Sequence, residues 1–163
     1  MIISIEKVYE ELEHQNDSEC SCSYCVSMCE ERPCWGTPKD IQHLIDLGHA
    51  KRLMQDYWVG NFLYEPENFD AQDYFDTYYD IQIICPADIG NEGGYAPSWR
   101  FKQCTFLTPD KKCEIHMHKP LEGKKSMCKR YSLNLHEYVA RTWDTPEGKS
   151  VVEQFEKLTG CNI

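Results

Sequence analysis

Ten cysteines are the residues of this 163-residue chain most suited to chemistry, and five of them lie within residues 20–34. Four of the five, Cys22, Cys25, Cys29 and Cys34, have the spacing C-x2-C-x3-C-x4-C. Spacings of two to four residues allow one loop to direct several thiolates toward one ion, and zinc takes sulfur ligands at about 2.3 Å. Metal ligation also supplies folding free energy that a polar loop cannot gain from burial. The sequence therefore predicts a metal site at residues 22–34.

A second set of cysteines is dispersed along the chain, so that only the fold could bring its members together. The set is Cys104, Cys113 and Cys128, with Cys85 and His116 as further candidate ligands. For His116 we favour a surface or hydrogen-bonding role over ligation. The four thiolates of this set would suit an iron–sulfur cube, whereas the compact set at 22–34 could close a tetrahedral zinc site by itself. We therefore expect two sites, with iron favoured at the dispersed set.

Known templates and roles without metal leave alternatives open. A zinc ribbon needs two C-x2-C pairs, and the chain has that spacing only at Cys22 and Cys25. The bacterial ferredoxin run C-x2-C-x2-C-x3-C-P does not fit either. Disulfides are a second explanation, and buried unligated thiols are a third, which we favour for Cys161 and keep open for Cys85. Cys20 is either a bystander or a spare ligand.

Composition and charge indicate where such thiols would work. Ten cysteines are about 6% of the chain, below the roughly 8–10% of a small disulfide scaffold. The first residues lack the pattern of a signal peptide, and no stretch reaches the roughly 18 apolar residues of a membrane span. We therefore expect a cytoplasmic protein without a membrane anchor, whose thiols stay reduced. The net charge of −10 argues against nucleic acid as a partner and favours a basic protein.

Several elements are predicted around the cysteines. An amphipathic helix is expected at residues 5–12. A second helix is expected to begin with Thr37 as N-cap and Pro38 at its first position, and to end near Gly48. Leu53, Met54, Tyr57 and Trp58 suggest a further short helix, and Tyr74, Phe75, Tyr78 and Tyr79 could line one helical face.

The second half of the chain mixes strand, loop and helix signals. We expect a strand at 81–85, a loop at 87–97 and a hairpin around Pro109–Asp110 that places Cys104 and Cys113 near its ends. A loop should lead to Cys128, and helices should follow at 133–141 and 147–158, the latter with Thr145 and Pro146 as its start signal. The expected fold is α+β: a small single domain with several helices, a short β-hairpin and long loops organised around cysteine-ligated metal. It would span 1–163, with a cysteine-cluster core at 20–131 and a C-terminal helical segment at 132–163.

The order of these motifs resembles the YkgJ-type cysteine-cluster family, whose CxxCxxCC domain is associated with chelation of zinc or iron. The resemblance covers roughly residues 20–131. It rests on the N-terminal cysteine cluster, then TPKDI, CTFL, CEIH and KPLEGK, and a final Cys128 followed by Lys129, Arg130 and Tyr131. It implies a bound zinc ion or iron–sulfur cluster, with 4Fe–4S as one form. The similar CPADIGNEGGYAP segment adds Cys85 as a ligand.

Two classes of function fit these observations. The first is a cysteine-cluster metal-binding protein that chelates zinc or an iron–sulfur cluster, with the metal organising the fold. The second is an iron–sulfur redox protein or a cluster-dependent modifying enzyme. Polar residues near the cysteines form no recognisable catalytic set, so the sequence assigns no catalytic residues and leaves enzymatic activity open.

Overall fold

The computed structural model describes residues 23–60, 79–97, 102–125 and 133–161. In these ranges there are five α-helices, two β-strands and two short 3-10 turns. The helices and strands are α1 (Ser23–Glu31), α2 (Pro38–Asp46), β1 (Leu53–Gly60), β2 (Tyr79–Pro86), α3 (Leu121–Lys125), α4 (Leu133–Trp143) and α5 (Pro146–Thr159), and the 3-10 turns are Ala50–Arg52 and His116–His118. The structure therefore confirms a small α+β fold.

Strands β1 and β2 form an antiparallel pair, with a register that runs from Leu53 opposite Pro86 to Gly60 opposite Tyr79. The strand predicted at 81–85 is confirmed, but the helix predicted near residues 53–58 is wrong. The first four residues of β1 are all buried, so both faces of the strand are covered at that end. A strand buried on both faces lacks alternation, and its apolar run cannot be told from a buried helix by pattern alone.

Helix α2 begins as the sequence predicts. Asp40 N donates to Thr37 Oγ1 at 3.3 Å, and Thr37 N donates to Asp40 Oδ2 at 3.0 Å, which makes a reciprocal capping box. The same Asp40 oxygen accepts a bond from Leu121 N at 3.0 Å. The first turn of α2 therefore also positions the start of α3.

The C-terminal helices complete the apolar core. Both α4 and α5 confirm the predicted helices, and Thr145 Oγ1 caps α5 by accepting a bond from Gly148 N at 3.1 Å. Helix α5 packs against β2 and α2, and α4 packs against β2. Phe155 and Trp143 expose at most 1% of their surface, and Trp143 Nε1 donates to Gly36 O at 2.8 Å. The core thus reaches the segment that follows α1.

The segments around Cys104 and Cys113 are more irregular than predicted. Residues 87–97 form turns and isolated bridges, in agreement with the predicted loop. The hairpin predicted around Pro109–Asp110 reduces to a turn closed by one bridge between Leu107 and Cys113. The expected loop toward Cys128 instead contains the short helix α3.

Some predictions fall on residues outside the described ranges. These are the helix at 5–12, most of the tyrosine-rich stretch at 74–79, and the side chains of Cys20, Cys22 and Cys128. Tyr79 is described, and it begins β2. Among the described helices, none has the length and apolar character needed to cross a membrane.

Candidate functional site

Five cysteines line one cavity of about 60 Å³, hereafter the cysteine cavity. They are Cys25, Cys29, Cys34, Cys104 and Cys113. The rest of the wall is largely apolar, with proline, Phe106 and Ile115 side chains, and includes the charged residues Arg32, Lys119 and Glu122. The structure therefore brings members of the compact set and of the dispersed set around a single space, rather than dividing them between two sites.

Helix α1 carries the first two cysteines of the cavity. Cys25 and Cys29 are four residues apart, so they lie on the same face of the helix. The prediction of a loop at this position is wrong for residues 23–31. The spacing C-x2-C-x3-C also corresponds to positions i, i+3 and i+7, which is one helical face. That periodicity is the signal that could have revealed α1.

Backbone hydrogen bonds hold residues 102–118 together and join them to α1. Cys104 N donates to Cys29 O at 2.8 Å, and Glu114 N donates to Phe106 O at 2.8 Å. An isolated bridge joins Cys104 to Asp88, whose buried carboxylate accepts from Lys102 N at 3.0 Å. These bonds hold Cys104 at the cavity without help from a regular strand.

Helix α3 closes the cavity beside Cys34. Glu122 N donates to Trp35 O at 3.0 Å, so the helix lies directly against the segment that carries Cys34. A Cβ atom at Gly123 would lie only 2.8 Å from Cys34 Sγ. Glycine is thus the residue that lets the sulfur fit between the two segments.

Burial controls the ionisation of the cavity thiols. It raises the pKa of Cys34 well above its ordinary value, and nearby Cys104 and Glu122 raise it further. Burial also raises the pKa of Cys104 to about 12. For Cys29, burial and Cys113 raise the pKa, while the Lys119 ammonium lowers it. In the protein without metal these three thiols hold their protons at neutral pH, so a metal that binds them must displace protons.

The remaining predicted ligands are placed differently. Cys85 is fully buried on β2 and is absent from the cavity wall. Burial and Asp56 are the main causes that raise its pKa, and Cys34 and Cys104 are close enough to raise it further. His116 lies in the 3-10 turn His116–His118 and is also absent from the wall. Cys22 and Cys128 lie outside the described ranges, so their predicted roles are untested.

The described donors surround the cavity without meeting at a single point. Across residues 23–60, 79–97, 102–125 and 133–161, no group of three His, Cys, Asp or Glu side chains is close enough to hold a metal ion. Four sulfurs around one zinc ion at about 2.3 Å would lie about 3.8 Å from one another. The donor chemistry of the cavity is that of zinc or iron–sulfur ligation, and its five cysteines enclose a space larger than a single ion.

A buried carboxylate next to the cysteines was not identified from the sequence. Glu122 is 1% exposed and accepts bonds from Arg32 Nη2 at 3.2 Å and Trp35 N at 3.4 Å. Its other oxygen contacts His136 Nδ1 at 2.6 Å, and the His136 ring stacks on Trp35 with centroids 3.9 Å apart. Arg32 and Glu122 are 90 residues apart in the chain, so no local pattern could have indicated this network.

Comparisons with known proteins add no assignment to this geometry. No protein-family model matches the chain, and neither a curated protein nor a solved structure shows significant similarity to it. The resemblance to the YkgJ-type family therefore stays a prediction, which rests on the sequence motifs alone.

Proposed function

We propose that this protein binds zinc or an iron–sulfur cluster in the cysteine cavity, and that the metal organises this end of the fold. The observation that carries the proposal is the convergence of five cysteines on one space. They come from α1, from the segment between α1 and α2, and from the irregular segment at 102–118. These segments are distant in sequence, and the fold brings them together around the cysteine cavity.

Packing alone explains the other described cysteines better than it explains these. A free cysteine commonly behaves as a small buried hydrophobe, and Cys85 and Cys161 fit that description with exposures of 0% and 8%. Cys25, Cys29 and Cys113 are only half-buried and face a cavity instead. A pure packing role gives no reason to gather five thiols around a space that no side chain fills.

The charges of the wall also support metal binding. Four thiolates around a divalent ion, or around a doubly charged cube, leave a net charge of −2. Arg32 pairs with Glu122 in the wall, and Lys119, which also lines it, lowers the pKa of Cys29. A nearby cation stabilises thiolates, so Lys119 offsets part of the charge of a loaded site.

The size of the cavity favours a cluster over a single ion. A volume of about 60 Å³ is several times the roughly 10–15 Å³ that one water requires by the same measure. We therefore propose one shared site, with an iron–sulfur cluster as the preferred occupant and a zinc ion as the alternative. Cys22 and Cys128, which the sequence predicts as ligands, are candidates to complete the set.

The test is metal analysis of protein made with iron and sulfide available and purified without air. A cluster should give brown protein, with broad visible absorbance that bleaches on reduction and with acid-labile sulfide. Cys104→Ser should lower the metal content sharply, while Cys161→Ser should leave it unchanged. Colourless protein with stoichiometric zinc would select the ion instead. Folded, metal-free protein with all of its thiols titratable would contradict the proposal.

The proposed setting is the reduced cytoplasm, and the proposed macromolecular partner is a basic protein. Reduced thiols are the form that binds metal. The chain carries a net charge of −10, and a loaded site would add negative charge, which favours a basic partner. Pull-downs at low and high salt would test the partner, because binding through opposite charges weakens as salt screens them.

A further inference from the structure

A second and larger cavity lies beside the first and is hereafter called the aromatic cavity. Its volume is about 520 Å³, which is within the range of small-molecule sites. Arg32 lines both cavities. The Glu122–His136 contact also connects them, because Glu122 lines the cysteine cavity and His136 lines the aromatic one.

Asp56 is the buried carboxyl group of the aromatic cavity; burial raises its pKa, while hydrogen bonds and the nearby Arg32 and His136 act to lower it. The residue is 8% exposed, and its carboxylate accepts bonds from Trp35 Nε1 at 2.9 Å and from Tyr57 N at 2.8 Å. Both donors are neutral N–H groups, so they orient the carboxylate without cancelling its charge. Burying a carboxylate is costly unless a positive charge compensates it.

The nearby cation Arg32 is already engaged. Its Nη2 atom lies 3.2 Å from the buried Glu122 carboxylate, so these two charges balance each other. Among the residues that the structure describes, Arg32, Glu122 and Asp56 together carry one negative charge when His136 is neutral. A ligand with one positive charge would restore neutrality, whereas an anion would face Asp56 and compete with Glu122 for Arg32.

Aromatic rings form the remaining walls near Asp56. Trp35 and Trp58 meet edge to face with centroids 6.4 Å apart, and both line the cavity. Aromatic faces attract organic cations through their quadrupole, most strongly in sites that exclude water. Val59, Ala96 and Pro97 add an apolar surface against which a hydrocarbon group can pack.

We propose that the aromatic cavity binds a small organic cation, with its ammonium group on Asp56 and its apolar body between Trp58 and the Ala96–Pro97 segment. This site is separate from the proposed metal function, and neither proposal requires the other. It differs from an ordinary core void because it combines a buried carboxylate, aromatic walls and, among its described residues, one more negative charge than positive charges.

The test uses three probes that share one ring: benzylammonium, benzyl alcohol and benzoate, each titrated by calorimetry into the protein as purified. Benzylammonium should bind about tenfold or more tightly than the alcohol, since a charge-assisted contact and a cation–π contact both strengthen it. Benzoate should bind most weakly. Equal affinities for the three probes, tighter binding of benzoate, or no binding of benzylammonium at millimolar concentration would overturn the proposal.

Variants locate the binding to Asp56. Asp56→Asn should lower the affinity for benzylammonium to that for benzyl alcohol, while Asp46→Asn should not change it. Asp46 is an exposed carboxylate on α2 that accepts a bond from Gln42. Unchanged binding in folded Asp56→Asn would refute the assignment.

Indole N–H resonances of the unmodified protein give a readout that needs no variant. Benzylammonium should shift those of Trp35 and Trp58, which line the aromatic cavity, and should leave that of Trp143 in place. Shifts confined to other tryptophans would also refute the site.

Discussion

The apolar core and the cysteine cavity are built by different means. The core joins α2, α4, α5 and the strand pair, and its central side chains, such as Phe155 and Ile41, are fully buried. The cavity joins two short helices to irregular segments, and its thiols at Cys25, Cys29 and Cys113 are only half-buried. Apolar burial thus explains the stability of one region, whereas the other gathers thiol groups whose convergence burial does not explain.

The largest expected difference between the regions is in pH dependence. Because burial raises the pKa of Cys29, Cys34 and Cys104, in the last case to about 12, metal must displace one proton from each of these thiols that it binds. Raising the pH weakens this competition, so metal affinity should rise about tenfold per pH unit for each ligand thiol. Four ligand thiols would give a rise of about 10⁴-fold per pH unit.

Chelator competition between about pH 6 and 8 measures that slope, and its value counts the ligand thiols. In Cys104→Ser the slope of log affinity against pH should fall by about one, because one ligand thiol is lost. An affinity that does not change with pH would show that thiols are not the ligands.

A truncation in the core should act independently of metal. Phe155 is fully buried on α5, and Phe155→Ala should lower the free energy of unfolding by about 3–5 kcal/mol. Chemical denaturation with and without a chelator measures the effect, which should be the same in both. Leu158→Ala is the matched control on the same helix, because Leu158 is 49% exposed, and it should change stability by less than about 0.5 kcal/mol. A chelator-dependent effect at Phe155 would remove the proposed independence of the two regions.

The cavity wall should be sensitive to one added methyl group. Gly123→Ala places a carbon 2.8 Å from Cys34 Sγ. The resulting overpacking costs about 1–3 kcal/mol and should outweigh the roughly 1 kcal/mol that alanine gains over glycine in a helix. Metal content and stability should both fall.

Gly94→Ala is the control for this change, because its added carbon would meet only Asn91 O at an ordinary 3.5 Å. It should leave metal content unchanged. Equal metal loading of both variants would indicate that Cys34 does not act in the site.

The smallest effect is expected at the cap of α2. Thr37→Ala removes the side-chain acceptor of the Asp40 N–H group and should cost about 1 kcal/mol. Since Asp40 also binds Leu121 N, the loss should extend slightly to α3, which hydrogen exchange of the Leu121 amide would detect. Ser150→Ala, at an exposed position of α5, should leave that amide unaffected.

Local chemistry explains which elements the sequence predicts. The helix start at Thr37-Pro38 and the start at Thr145-Pro146 depend on residues within one turn, and both occur as expected. The apolar residues of β1 predict a helix because the buried end of the strand lacks the alternation that identifies a strand. The pairing with β2 makes this segment a strand, and it involves residues about 19 to 33 positions away.

The candidate site was predictable in residue type but not in grouping. Reactive cysteines can be counted in the sequence, yet the bond from Cys104 N to Cys29 O is a product of the whole fold. The predicted division into two sets therefore followed chain proximity, whereas the structure places members of both sets around one cavity. Asp56 and His136 carry no local signature at all.

The contact between Cys29 and Cys104 also determines when the cysteine cavity can form during translation. These residues are 75 positions apart, and at roughly 5–20 residues per second a ribosome needs about 4–15 s to make the intervening chain. During that interval the α1 thiols exist before the segment that walls them in. The wall of the cysteine cavity therefore cannot form until the segment that carries Cys104 and Cys113 has been synthesised.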